Sequence, residues 1–348
     1  MARTQRVPGR VAVCQICSTE DVAHNLRMSE DIVRRAAVSG ATAYFLPEAS
    51  DFIVPTQQQC YDLSKPLASH TYTSGLAQLA KELGVWIFVG VHELPARERD
   101  GEQVVAESEE GRKVFNSLVV IDDAGMVRET YRKVHLFDVA LKGDTYSSGT
   151  PNILKTGESS RVLAGSDILD PVTVNDAIGP IGLEICYDLR FPEMHSILVE
   201  RGAKMLIFPA AFTVVTGRDH WHTLLRAIAI QHQVYVLAPA QAGKHYAATE
   251  DTAARTSWGE SLAFDPWGRQ VGRLSSVDDA QEEGAEVEMM EGRLPSSFFT
   301  VDLDMGVVDF VRQQIPLAIQ KRPEVYAQGG ETSGIIDVRD CFGRGQRS

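Results

Sequence analysis

The run Gly182-Leu183-Glu184-Ile185-Cys186-Tyr187-Asp188-Leu189-Arg190-Phe191-Pro192-Glu193 places a cysteine where an apolar segment gives way to a helix. Residues 178–185 read as a buried strand, and Pro192 falls where a helix's first turn tolerates proline. A thiol at such an elbow shares its space with the backbone N–H groups that follow, that of Tyr187 first, and these favour both a thiolate and a developing oxyanion. The alternative is a buried structural cysteine. A thiol nucleophile also needs a base and a cation. Ala43-Tyr44-Phe45-Leu46-Pro47-Glu48 sets a carboxylate just past a second buried strand. Desolvation there would raise the Glu48 pKa enough for it to take a proton from the thiol. Tyr131-Arg132-Lys133-Val134-His135-Leu136 offers Lys133, whose ammonium would lower the thiol pKa and balance charge on a tetrahedral intermediate. Taken singly, Glu48 reads sooner as an exposed loop acid and Lys133 as a solvated lysine.

The elements that must carry these groups alternate along the chain. Strands are expected at 11–16, 43–46 and 86–91, with helices at 30–39 and 74–83 between them, a βαβ signature. A hairpin follows, 117–122 and 127–131 about Asp123-Ala124-Gly125. After the cysteine come a helix at 192–201, a strand at 205–209, a helix at 220–233 and a strand at 235–239. A second hairpin, 261–265 and 270–273 about Pro266-Trp267-Gly268, precedes a strand at 298–303 and a helix at 305–314. Residues 142–176 and the acidic stretch 278–291 read as loop insertions, and 327–348 as a mobile tail. The expected organisation is a short extension, 1–9, and one domain over 10–326.

Bulk composition narrows the class. The 348 residues are 44% hydrophobic, enough for a large α/β core. No stretch approaches the roughly 18 apolar residues of a membrane span, and the first ten residues lack the apolar segment of a secretory signal. A net charge of −13 disfavours a nucleic-acid partner. Five scattered cysteines suit a reducing compartment, so cytoplasm is expected, with a mitochondrial transit remnant at Arg3, Arg6 and Arg10 as the other option. Cys14-x-x-Cys17 overlaps the first strand and reads as structural. His220 and His222 form an H-x-H without an evident third ligand, so no metal is expected.

Leu46-Pro47-Glu48, the run 131–136 and the run 185–193 resemble the glutamate, lysine and cysteine motifs of the carbon–nitrogen hydrolase (nitrilase) superfamily, in that family's chain order. The likeness continues through Phe208-Pro209-Ala210-Ala211-Phe212-Thr213, Gly217-Arg218-Asp219-His220-Trp221 and Ser257-Trp258-Gly259-Glu260-Ser261 to Arg322-Pro323-Glu324-Val325-Tyr326. Within the superfamily the chain is most similar to the Nit branch, in particular to deaminated glutathione amidases. Cys17-Ser18-Thr19, His24-Asn25-Leu26, Phe45-Leu46-Pro47-Glu48-Ala49-Ser50-Asp51 and His135-Leu136-Phe137-Asp138-Val139 carry that narrower likeness.

The resemblance implies a four-layer α-β-β-α sandwich that pairs through a helical face into an αββα-αββα homodimer. It implies hydrolysis of a small carboxylated amide, deaminated glutathione foremost, through a Cys186 thioester with no cofactor, releasing the free acid and ammonia. Glu48 would be the base and Lys133 with the Tyr187 N–H the oxyanion donors. A second glutamate would aim Lys133. Simple spacing lands near Ser148 and Gly149, whereas Gly157-Glu158-Ser159 fits after an insertion, which assigns the role to Glu158. Arg190 would meet the substrate's acid group, or else pair with Glu193, while Phe212 and Thr213 shape the pocket. Glu184 departs from the branch, which has a small or apolar residue there, and would raise the cysteine's pKa if close. The alternatives are an ω-amidase acting on α-ketoglutaramate, a carbamoyl-amide hydrolase, or a Nit-like interaction protein that keeps the fold without turnover.

Overall fold

A computed structural model describes residues 9–99, 102–105, 112–142, 153–249, 253–282 and 295–326. All of the extension but Gly9, and the whole tail 327–348, lie outside these residues.

Two sheets face each other. The larger, of nine strands, runs from Val162–Leu163 at one edge through Val114–Ile121, Trp86–Glu93, Ala43–Phe45, Gly9–Ile16 and Ala240–Tyr246 to Arg255–Trp258 at the other. Ser297–Leu303 adds to it antiparallel to Gly9–Ile16, and Val127–Arg132 antiparallel to Val114–Ile121. The smaller sheet orders Val172–Thr173, Pro180–Leu183, Met205–Ile207, Tyr235–Ala238, Leu262–Phe264 and Gln270–Arg273.

Period-two alternation sets the layers. From the first strand, Val11 and Val13 enter the core shared with Ile181, Leu183, Met205 and Ile207 of the smaller sheet. Ala12 and Cys14 point the other way, into a core closed by helices Val22–Ala37 and Thr71–Leu83. Helices Pro192–Glu200 and His222–His232 supply Leu198, Leu225, Ile228 and Ala229 to the same core as the smaller sheet. The stacking is helix, sheet, sheet, helix. Cys14, Cys17, Cys60 and Cys186 are buried, and burial pushes the Cys14 thiol up to about 12.

Several elements differ from expectation. The first two helices begin earlier, at Val22 and Thr71, because Asp21 and His70 cap them by accepting from the N–H of His24 and Thr73, contacts that apolar periodicity does not register. Strand Pro180–Leu183 is shorter than 178–185, since Cys186–Arg190 forms a 3-10 turn ahead of the helix. Within the expected loop 142–176, strand Ile153–Gly157 pairs antiparallel with Asp138–Lys142, and Val162–Leu163 joins the large sheet. Residues 143–152 lie outside the described residues. The acidic stretch opens as a helix, Val277–Glu282, in which Asp278 meets Arg218 at 2.7 Å; 283–294 are not described. In the Pro266-Trp267-Gly268 turn Asp265 is the anchor, its Oδ1 accepting from the N–H groups of Trp267 and Arg269 at 2.9 Å, while Trp267 is half-exposed.

Candidate active site

Cys186 adopts φ 49°, a left-handed conformation that a non-glycine residue holds only when its surroundings over-determine it. The surroundings do so through four hydrogen bonds. Its N–H donates to Pro209 O at 2.9 Å. Two residues on, the fully buried Asp188 accepts from Ile185 N–H at 2.9 Å, the Tyr131 hydroxyl at 2.7 Å and His135 N–H at 3.0 Å. Asp188 thereby ties the elbow to a side chain before Lys133 and to the backbone after it. Phe191 stacks on the His135 ring at 3.6 Å, closing the same junction.

The other strand ends converge on this elbow. Glu48 follows Ala43–Phe45, and Gly90 on the neighbouring strand lets it approach, for a Cβ there would lie 2.5 Å from Glu48 Cα and 2.8 Å from Pro47 O. Lys133 follows Val127–Arg132 and is fully buried, its Nζ donating to Glu48 Oε1 at 2.9 Å and to Glu158 Oε2 at 2.9 Å. Glu158 opens the 3-10 turn Glu158–Ser160 and accepts from Phe137 N–H at 2.7 Å. Asn116 bridges both acids as well, donating to Glu48 Oε1 at 2.7 Å and Glu158 Oε1 at 3.2 Å. Ala211 N–H takes the remaining oxygen, Glu48 Oε2, at 2.8 Å.

Charge follows from that geometry, and it reverses two sequence-based expectations. Burial alone would raise the Glu48 carboxyl, but the Lys133 charge, with bonds from Lys133, Cys186 and Asn116, holds it below its ordinary value. The expected raised Glu48 is therefore wrong for the resting site, because the lysine contacts the acid directly. Burial likewise opposes the Lys133 charge, yet Glu158 and Glu48 keep its pKa well above normal. The Cys186 thiol is pushed well up, first by burial and then by the Glu48 charge, against the opposing pull of Lys133 and Ala211 N–H. The ammonium does not win the thiolate, since two carboxylates already neutralise it. At rest the proton sits on sulfur. Glu184 is also fully buried, with burial raising it to about 7 against the pull of His195, whose Nδ1 is 2.7 Å from Glu184 Oε2. His195 takes one of its oxygens, while Oε1 is buried without a partner among the described residues.

A cavity of about 170 Å³ opens over these groups. Tyr187, Phe212 and Thr213 line it; Arg190 does not. The Arg190 guanidinium donates to His220 Nδ1 at 3.0 Å and packs over the Tyr187 and Phe212 rings at 5.7 and 6.0 Å, so among the described residues its partner is His220 in place of the Glu193 pair that was the other reading of it. Its place in the cavity is taken by Arg161 and Arg255, which sequence reasoning missed along with Asn116. Asn116 had a signal, an amide inside the apolar strand Val114–Ile121. The two arginines had none, as Arg161 lies between a 3-10 turn and the two-residue strand Val162–Leu163, and Arg255 opens a strand of only four. Among the described residues no cluster of three or more His, Cys, Asp or Glu side chains is placed to hold a metal ion.

Known proteins resemble this arrangement over most of its length. The deaminated glutathione amidase of Bos taurus is 36% identical over 321 residues, covering 92% of this chain and 84% of the relative. A probable hydrolase of Schizosaccharomyces pombe is 32% identical over 317 residues, covering 90% and 98%. The crystal structure of the C. elegans NitFhit protein superposes with a TM-score of 0.72 at 32% identity, covering 92% of this chain and 67% of that one. The family model described as carbon-nitrogen hydrolase matches residues 10–282. With helix, sheet, sheet and helix stacked around a buried thiol, and that match over most of its length, the chain belongs to the carbon–nitrogen hydrolase family and is a hydrolase of amide C–N bonds.

Proposed function

We propose that this enzyme hydrolyses a small carboxylated amide, deaminated glutathione foremost, through a thioester on Cys186. The observation that carries the reading is the bridging of two buried carboxylates, Glu48 and Glu158, by the Lys133 ammonium at 2.9 Å beside the strained cysteine. Glu48, kept ionised by that ammonium, accepts the thiol proton as sulfur attacks the amide carbon, so a thiolate need not exist beforehand. The oxyanion that forms meets Lys133 and the Tyr187 N–H, each donor worth roughly 3 to 4 kcal/mol of barrier in comparable sites. Glu48 then passes its proton to the nitrogen as the C–N bond breaks. In the second half water loses a proton to Glu48 and attacks the thioester carbon; that proton returns to sulfur as the C–S bond breaks. Glu158, held by Phe137 N–H, keeps Lys133 aimed.

A primary amide releases ammonia in this scheme. A substituted amide releases an amine, and deaminated glutathione is of the second kind, its nitrogen leaving within cysteinylglycine, so the ammonia expected from the resemblance is corrected for this substrate. Product analysis therefore separates it from α-ketoglutaramate, the ω-amidase substrate, directly. The decisive variant is Cys186→Ala. Its turnover of deaminated glutathione is expected to fall at least about 10³-fold with the fold retained, measured as appearance of 2-oxoglutarate; full residual activity removes the cysteine from the mechanism.

The family likeness also supports a homodimer formed through a helical face. Ile230 on helix His222–His232, Phe310 on helix Met305–Gln314 and Ile319 on helix Leu317–Gln320 are 46%, 50% and 86% exposed, apolar surface of the kind such a contact would cover. Cytoplasm is the compartment that scattered, buried cysteines favour.

A further inference from the structure

The acids of the cavity are spoken for, while two of its cations are not. Glu48 and Glu158 are bridged by Lys133 and Asn116, but Arg161 donates only to Val54 O, at 3.4 Å, and Arg255 only to Ala211 O, at 2.7 Å, among the described residues. Neither meets a carboxylate among the described residues. That sets them apart from Arg10, Arg34, Arg128, Arg132 and Arg273, each of which pairs with an Asp or Glu within 3.0 Å. On a chain carrying a net −13, this one cavity is lined by three cations against two carboxylates. A guanidinium facing a half-enclosed cavity without a counter-charge is ready for a planar anion, because its fork of donors matches a carboxylate.

Topology adds direction. Arg161 precedes Val162–Leu163, one edge of the large sheet, and Arg255 opens Arg255–Trp258, the opposite edge. Glu48 and Asn116 come from strands lying between those edges, and Lys133 follows Val127–Arg132, which pairs the same strand as Val162–Leu163 does. Arg161 stands on the Glu158 side, its N–H bonded to Glu158 O at 3.0 Å. Arg255 stands on the side of Ala211, whose N–H holds Glu48.

We propose that Arg161 and Arg255 are two separate carboxylate anchors, which select an amide carrying one acid group on its acyl half and another on its amine half. This rests on the amidase reading above and deepens it to a substrate class, a bis-anionic secondary amide stretched across the cysteine. Each anchor holds one half, so an amide without the amine-side acid uses one anchor only. Deaminated glutathione has both acids; α-ketoglutaramate has the acyl-side acid alone.

The test uses Arg161→Gln and Arg255→Gln in the full chain. With deaminated glutathione each variant is expected to raise KM by about 10- to 100-fold, the loss typical of a charge-assisted contact, and to lower kcat less than it raises KM. With α-ketoglutaramate only one of the two variants is expected to raise KM. Arg255→Lys, which keeps the charge without the fork, is expected to recover part of the KM, a rescue that a purely structural arginine would not give. Unchanged KM in both glutamine variants, or a fall confined to kcat, overturns the proposal. A second measurement needs no turnover: 2-oxoglutarate is expected to slow iodoacetamide alkylation of Cys186 in the wild type and to lose that protection in one arginine variant. Failure of a dicarboxylate to protect the wild type sinks the anchors whatever the enzyme hydrolyses. Protection without any turnover of deaminated glutathione sinks instead the substrate named above.

Discussion

Asn116 shows how much one neutral side chain sets the chemistry of its neighbours. Its amide donates to Glu48 and Glu158 together, while its own carbonyl, Oδ1, is buried without a partner among the described residues. That orphaned acceptor is the cost of turning the amide so that both carboxylates receive a proton donor. Because the Asn116 bond helps hold Glu48 below its ordinary carboxyl value, the base stays ionised from neutrality down into acid, and activity is lost only as pH falls through that lowered value. Asn116→Ala is expected to move the acid limb of kcat/KM upward in pH and to reduce kcat about tenfold, readable from a pH–rate profile. An unshifted limb would mean that Lys133 alone sets the Glu48 charge. Two of the proposed functional groups were visible in the sequence, Glu48 because it stands just past an apolar strand and Lys133 because it follows the second strand of a hairpin. Their pKa directions were not, since these depend on distances across 85 residues of chain.

At the scale of elements, the site is a set of strand ends held in register by close backbone approach. Gly90 lies in Trp86–Glu93, where its lack of a Cβ lets the Glu48 turn sit against the strand, with Ser50 N–H donating to Gly90 O at 2.8 Å. Gly90→Ala would drive a methyl into the backbone at Pro47 and Glu48, a clash that no rotamer change relieves. The expected destabilisation is about 1 to 3 kcal/mol, as in other overpacked sites, with kcat falling more than KM rises, because the displaced group is the base. Calorimetry with steady-state kinetics checks this; a native-like melting temperature with full kcat would show that the turn has slack. The βαβ alternation was legible because apolar runs and helical stretches differ in period. Strands Ala240–Tyr246 and Arg255–Trp258 were not, since Gln, Gly, Lys and His interrupt the alternation in one and the other spans four residues. The helix at 192 was found through its proline, whereas the 3-10 turn Cys186–Arg190 before it depends on Asp188, whose partners Tyr131 and His135 lie more than 50 residues away.

For the molecule as a whole, the proposed dimer is the matter for experiment. Ile230→Asp with Phe310→Asp places charge on the exposed helical surface, and a charge buried without a partner costs several kcal/mol. The wild type is expected to sediment at twice the monomer mass and the double variant as a monomer; an unchanged mass would move the contact elsewhere.

The chain's own order of residues determined the layered α/β class and the candidate chemistry of Cys186, Glu48 and Lys133, because strand periodicity, a proline at a helix start and a polar residue at a strand end are local facts. Only the tertiary structure decided which cations face the cavity. Arg190, four residues from the thiol in sequence, turns away to His220 behind two aromatic rings, while Arg161 and Arg255 arrive from opposite edges of one sheet. A cavity wall is assembled by strand order, and strand order joins residues whose separation along the chain carries no sign of the meeting.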